Sequence, residues 1–261
     1  MGNRDWGNSI SILYLYDIYF CPKTVIMNQM IEQPSVTVRL KKHLALILGI
    51  SRREADNLIS RGNVTINGSI ATLGARFVEG DKIAVDGKII ATKTEYQYIA
   101  LNKPIGYVCS RRQPGDSPTI YELLPESLHH LKTVGRLDRN SSGLILLSND
   151  GDFTYHMTHP SFFKTKIYNV RLESALAPLH QQMISDYGVQ LEDGPSKLQL
   201  ERMNDVDRKS WIVTMHEGRN RQIRRTFGVL GYTVLKLHRT NFGNYALGDI
   251  KEGKFEVVGS R

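Results

Sequence analysis

The hydrophobic positions of this chain first fall into a readable period after Val38. In "VRLKKHLALILG", Leu40, Leu44, Ile47 and Leu48 recur at helical spacing, and the run breaks at Gly49. Ser51 then offers an N-cap, Glu54 stands three residues on to complete a capping box, and Ala55, Leu58 and Ile59 supply the apolar face of a second helix that Gly62 ends. "NVTING" switches the period to two, with Val64 and Ile66 alternating, and closes on Asn67-Gly68, a strong hairpin turn pair. The pattern predicts a small helix, turn, helix, hairpin unit that runs to about Ile90.

After a linker, "ATKTEYQ", the period stays near that of strands. "YIALNKPIGYVCS" reads as a strand broken by Pro104 and Gly106, and a proline there argues for an edge or a bend. "GLILLS", inside "GRLDRNSSGLILLSNDGD", is a buried-looking apolar run fenced by polar residues. "KIYNVRLE", the "SWIVTMHEG" and "YTVLKLHRTNFG" stretches and a short final "KFEVVG" follow as further strands. Helical character is confined to residues 119–124, about 177–187 and 220–230, and the acids of "NDGD" read as a turn at the far end of "GLILLS". Several strands with few helices between them predict an α+β fold, a mostly antiparallel mixed sheet preceded by the small α+β unit. The domain boundaries that result are a leader over residues 1–35, expected to be poorly ordered, the small unit over 36–91, a linker over 92–97 and a larger domain over 98–261.

Composition narrows the class. The chain has 261 residues, 41% of them hydrophobic and 23% charged, which suits a globular protein of one large and one small domain. The leader's "SISILYLYDIYF" is interrupted by Asp17 and too short for a bilayer span or a signal peptide. Cys21 and Cys109 form neither a disulfide framework nor a CxxC metal motif, so a reducing, cytoplasmic setting is expected.

Charge changes the picture more. Thirty-four Lys and Arg against 26 Asp and Glu leave +8 and favour a polyanionic partner. Half of that excess sits in the small unit, with nine basic residues against five acids. Lys41 and Lys42 on the first helix and Arg52 and Arg53 at the start of the second can face one phosphate backbone, aided by the second helix's N-terminal amides.

Candidate chemistry centres on Asp138, an isolated acid between Leu137 and Arg139. A lone loop aspartate is ordinarily a turn former, yet this one is flanked by basic residues and tied through "SSG" to a rigid strand, a common mounting for catalytic groups. Asp138, Asp150 and Asp152 lack the spacing of a calcium loop, and His156 and His159 have no third ligand near, so no metal site is expected. "EGRNRQIRRTF" packs Arg219, Arg221, Arg224 and Arg225 into seven residues; on a helix from about Asn220, Arg221 would share a face with Arg224 or Arg225 while Ile223 and Phe227 turn to the core. Tyr168 in "KIYNV" is a core aromatic on pattern alone, but an RNA enzyme could stack an extruded base on it.

Two resemblances join these features. "RLKKHLALILGISRREADNLISRGNVTINGS" resembles the S4 RNA-binding domain, which implies RNA contact through Arg52, Arg53 and their neighbours Lys41, Lys42 and Arg61. "LNKPIGY", "GRLDRNSSGLILLSNDGD", "KIYNV", "GRNRQIRR" and "LHRTNFGNYALGDI", in that order, resemble the bacterial rRNA pseudouridine synthases of the RsuA-like branch. The resemblance implies uridine isomerisation in ribosomal RNA, large-subunit rRNA favoured, without cofactor, by a monomer acting on rRNA or a pre-ribosomal particle. By position it makes Asp138 the catalytic aspartate, with Arg224 its basic partner and Tyr168, Arg136 and Leu237 as active-site support. It adds Lys103, Arg219, Arg221 and Arg225 to the RNA-binding set; relatives often carry His at position 221, which leaves that residue's role open. The rival readings are a non-catalytic S4-type RNA-binding or ribosome-associated protein and a metal-dependent nuclease using Asp138, Asp150 and Asp152.

Overall fold

The computed structural model describes residues 37–92, 95–111 and 115–260; the leader and Cys21 lie outside them. Both helices of the small unit form, over Leu40–Ile47 and Arg52–Ser60. The capping box closes as the pattern requires: the Ser51 hydroxyl accepts from Glu54 N, and Ser51 N donates to the Glu54 carboxylate. Two tight hairpins follow, with positive φ at Asn67 and Gly68 and again at Asp86 and Gly87. They build a four-stranded sheet in the order Ser69–Ile70, Val64–Ile66, Ile83–Val85, Lys88–Ile89. Leu40, Leu44, Ala55, Ile59, Phe77 and Ile83 form a core of their own beneath it.

The larger domain is organised by a nine-stranded mixed sheet. Its main path runs Gln199–Arg202, Ser210–Met215, Lys166–Leu172, Val234–Phe242, Ser142–Ser148, Tyr98–Lys103 and Phe255–Val257. Every pairing is antiparallel except Val234–Phe242 with Ser142–Ser148, which run parallel and meet only at His238 with Ser142 and Arg239 with Gly143. Two antiparallel half-sheets are therefore joined by a contact two residues long. The backbones approach so closely there that a Cβ on Gly143, whose φ is +100°, would lie 2.2 Å from the Arg239 carbonyl oxygen. Glycine is the residue that this junction admits.

Ser142–Ser148 is buried along its whole length, as "GLILLS" foretells. The Tyr98–Lys103 strand is not an edge: it lies between Ser142–Ser148 and Phe255–Val257, and Pro104 ends it rather than bending it. "NDGD" is no mere turn either. Asp150 caps a helix, Gly151–Thr158, accepting from Asp152 N and Phe153 N, and it also accepts from the Tyr98 hydroxyl at 2.9 Å. Residues 119–124 contain a 3-10 turn, Ile120–Leu123, and residues 177–187 run from a short α-helix, Pro178–Gln182, into a π-turn, Met183–Tyr187. The arginine-rich helix is shorter than its pattern suggests, Gln222–Val229, with Ile223 and Phe227 in the core and Arg221 just outside at φ +47°.

Because the two half-sheets meet through Gly143, Gly143→Ala is expected to lower unfolding stability by about 3 kcal/mol or more, from steric overlap and unfavourable backbone conformation together. Urea or thermal denaturation followed by circular dichroism measures this. Wild-type stability in the variant would mean that the junction relaxes easily.

Candidate active site

The loop that carries Asp138 leads into Ser142–Ser148 and is tied down from several directions. Gly106 N donates to Arg139 O at 2.8 Å, Leu137 N to Cys109 Sγ at 3.5 Å, and Ser141 N turns back to Asp138 O at 3.0 Å. Two cations complete the fixation. Lys103 Nζ donates to Ser141 O at 2.6 Å, and Arg224 donates to Asn140 O at 2.6 Å and to Val234 O at 2.5 Å. Asp138 is thus presented on a loop whose backbone is fixed while its side chain stays 35% exposed.

It faces a cleft of about 480 Å³ between the half-sheets. The sheet supplies one wall by register. Tyr168 lies opposite Arg239, Val170 opposite Leu237 and Lys166 opposite Met215, and directly paired residues share a face. Tyr168, Leu237, Arg239, Lys166 and Met215 accordingly all line the cleft, with Arg136 and Arg221 at its mouth. Its lining carries six Lys and Arg (Arg136, Lys164, Lys166, Arg219, Arg221, Arg239) against Asp138 and Glu217. One Glu217 carboxylate oxygen accepts from Gln222 and Arg219, whereas Asp138 has a looser ion pair, with Arg221 at 3.8 Å.

The nearest cation to Asp138 is Arg221, whose Nη1 lies 3.8 Å from Oδ2. Its position follows from its backbone: the left-handed φ just before Gln222–Val229 turns the side chain away from the helix surface and toward the aspartate. Arg224, expected as the basic partner, makes no ion pair with Asp138 within 4.0 Å among the described residues, although the Asp138 charge acts on it. Arg224 acts on the Asp138 loop through the carbonyl of Asn140, and burial, then the neighbouring Arg221 charge, lowers its pKa while Asp138 opposes them.

Three residues expected to bind RNA also make contacts within the fold. Lys103 is completely buried, and burial lowers its pKa to about 8. Arg219 donates to Asp193, to the Gly194 and Pro195 carbonyls and to Glu217, and Arg225 to Asp193 and Asn220 O. These two arginines pin the hairpin of Val189–Leu191 and Gly194–Ser196 to the arginine-rich helix. In the small unit Lys41 pairs with Asp56 at 3.0 Å and Lys42 with Asp152, while Arg52, Arg53 and Arg61 stand exposed. Tyr168, 7% exposed, is both core residue and cleft wall.

Pattern reading missed Lys166 and Arg239. Burial pushes Lys166 down to about 8, with Arg239 adding to the fall and Glu217 opposing it. Arg239 is 2% exposed, donates to Leu144 O at 2.8 Å and lies 4.8 Å from the centre of the Phe242 ring. A basic residue at an inward position of "LKLHRTNF" was the available signal. Among the described residues no group of three His, Cys, Asp or Glu converges as metal ligands, and Asp150, spent on its helix cap, is unavailable to the nuclease reading.

A carboxylate on a fixed loop in a cationic cleft, on a mixed sheet joined to a small helix-and-hairpin unit, marks a class of proteins whose cleft suits a polyanion. Comparison with known proteins gives the class its family. Residues 97–228 match the model of the RNA pseudouridylate synthases and residues 38–83 that of the S4 domain. The chain is 35% identical over 252 residues to ribosomal large subunit pseudouridine synthase B of Pseudomonas aeruginosa, covering 90% of this chain and 64% of that protein. It is 34% identical to ribosomal small subunit pseudouridine synthase A of Pasteurella multocida, covering 85% of this chain and 96% of the relative. A crystal structure of a pseudouridylate synthase superposes with a TM-score of 0.61 at 32% identity, over 85% of this chain and 96% of that one. The chain belongs to the RNA pseudouridylate synthase family. It spans 64% of the Pseudomonas synthase B and 48% of the Xylella fastidiosa one.

Two outcomes follow from the buried cations. Arg224→Ala leaves the carbonyls of Asn140 and Val234 without their charged donor, so stability is expected to fall by about 2 kcal/mol and amide exchange to rise across residues 138–141. Hydrogen exchange by mass spectrometry checks this; unchanged exchange in the loop would remove Arg224 from its support. Lys103 titrates near 8 when folded and near 10.4 when unfolded. Between those values the unfolded chain holds the extra proton, so this residue makes stability rise with pH over that window and contributes no slope below it. Urea titrations of wild type and Lys103→Met at pH about 7 and about 9.5 should show a smaller rise in the variant.

Proposed function

We propose that this chain isomerises uridine to pseudouridine in ribosomal RNA, large-subunit rRNA favoured, with Asp138 as the catalytic carboxylate and no cofactor. The observation that carries this reading is Asp138 itself, fixed in backbone, 35% exposed in side chain and paired with Arg221 at 3.8 Å, in a cleft whose lining is mostly cationic among its charged residues. A purely RNA-binding protein gains nothing from a carboxylate aimed into such a cleft, since it repels phosphate.

The reaction breaks the bond from N1 to ribose C1′, turns the uracil, joins C5 to C1′, and moves the C5 proton's equivalent to N1, so substrate and product are isomers and no oxidant or energy source enters. Asp138 opens it either by attacking C1′ or by removing a ribose proton, and both routes begin from the ionised carboxylate. The target must leave its stack to reach the cleft. Tyr168 offers the flipped uracil a face, Leu237 an apolar contact, and Arg136 a charge at the mouth where the vacated stack lies. Arg221, Lys166 and the exposed Arg52, Arg53 and Arg61 supply phosphate attraction, which offsets unstacking costs of a few kcal/mol. We read the active species as a monomer acting on rRNA or an assembling subunit in the cytoplasm; no helix among the described residues is long and apolar enough to cross a membrane.

Asp138→Asn should retain RNA affinity within a few-fold and lose pseudouridine formation by at least about a thousandfold, as expected for removal of a reacting group. Pseudouridine mapping of rRNA from cells with and without the protein identifies the target, and the purified protein should convert it in the presence of a chelator. Turnover by the asparagine variant at the wild-type rate would refute the assignment, and loss of activity in chelator would return the metal-dependent reading.

A further inference from the structure

The cleft wall contributed by Thr158, His159, Pro160 and Lys164 has a short excursion between its members: Ser161, Phe162 and Phe163 stand outside the cleft, on its rim. Here the surface is aromatic to an extent the core does not require. Tyr155 is 51% exposed, Phe162 37% and Phe163 73%. The Tyr155 ring lies 4.7 Å from His159 and 5.5 Å from Phe162, and His156 lies 4.7 Å from Phe162. Phe163 extends beyond this cluster on a left-handed backbone, φ +47° and ψ +40°, at the end of the Pro160–Phe162 turn.

That combination is costly for the free protein. A bulky side chain is disfavoured in the left-handed region, where glycine or asparagine would close the same turn with less strain. A phenyl ring left in water adds the loss of whatever apolar burial it could have had. Strain concentrated in one exposed side chain at a cleft rim points to a ligand that covers it.

We propose that Phe163, next in the chain to the ring cluster of Tyr155, His159 and Phe162, is a stacking platform for an unpaired base of the RNA strand, next to the nucleotide that enters the cleft. The proposal rests on the RNA-modifying reading above and adds to it a contact outside the uracil pocket. Charge selects RNA as the occupant over an apolar partner. Lys164 follows Phe163 directly and lines the cleft, and Lys166 lies two residues further, so a base on Phe163 has cations along its backbone path toward Asp138. Every base presents a π-face, and stacking on an exposed aromatic is a sequence-tolerant way to hold a single strand.

The test uses the full chain and a single-stranded oligouridylate carrying one 2-aminopurine, whose fluorescence is quenched on stacking. Phe163→Gly removes the ring and relaxes the backbone, so its melting temperature should equal or exceed wild type. Its RNA affinity should fall about tenfold and the quenching at saturation should disappear. Phe163→Trp should keep both, and on the mapped substrate the glycine variant should lose activity chiefly through KM. Equal affinity and equal quenching for wild type and Phe163→Gly would overturn the platform. Quenching needs no turnover, so a protein that stacks the probe yet never isomerises uridine would sink the proposed activity and leave this inference standing.

Discussion

The molecule is built around the place where Gly143 and Arg239 meet. Antiparallel ladders on either side are long and self-sufficient, but the parallel contact between them spans only two residue pairs. Parallel strands diverging from a short contact leave a cleft on one side, and that cleft is where Asp138 is presented. The same contact fixes depth. With no side chain at position 143, the Val234–Phe242 strand lies against the start of Ser142–Ser148, and Arg239 reaches across it to the Leu144 carbonyl. Site geometry and sheet continuity are consequently one constraint.

Around that junction the basic residues divide into two populations by what their nitrogens reach. Lys103, Arg224, Arg219 and Arg225 donate to backbone carbonyls or to Asp193, and they hold loops and the hairpin in place. Arg136, Arg221 and Lys164 turn toward the cleft, while Lys166 and Arg239 line it and also donate to a carbonyl. Guanidinium groups suit the first task because a planar fork can bind several carbonyl oxygens at once, as Arg219 does. A cluster of four arginines in seven residues therefore has mixed employment, and its charge count overstates what is available to a polyanion.

How much of this was legible in the sequence depends on the range of the interactions involved. The capping box at Ser51 and Glu54, the Asn67-Gly68 turn and the buried run before Ser148 are decided by neighbours, and they were readable residue by residue. The Gly151–Thr158 helix was concealed because its start signal, Asp150, sits in a cluster of acids and glycine that equally describes a turn. The placement of Arg221 nearer than Arg224 to Asp138 was invisible for another reason. One left-handed residue moved the helix start from Asn220 to Gln222 and re-aimed the side chain before it, and no periodicity reports the sign of φ. The fates of Lys103, Arg219 and Arg225 needed partners 24 to 38 residues distant, which only the fold brings together. Asp138 stands out locally by its basic flanks and the strand that follows, but a turn former fits that setting as well, and only the resemblance weighs toward chemistry.

The electrostatic balance of the cleft explains why six cations are tolerated beside two acids. Burying Lys166 near Arg239 disfavours its charge, as its fall to about 8 records, and Glu217 restores only part of the loss. The fold holds this unfavourable arrangement because backbone carbonyls and aromatic faces substitute for counter-ions: Lys166 has Glu217 O and the Phe242 ring, and Arg239 has Leu144 O and the same ring. Such partners stabilise a cation without neutralising it. The positive potential survives for a phosphodiester backbone, and an anion entering the cleft relieves repulsion that the folded protein already bears. Asp138 can stay in that field without cancelling it, because Arg221, 3.8 Å away, answers its charge.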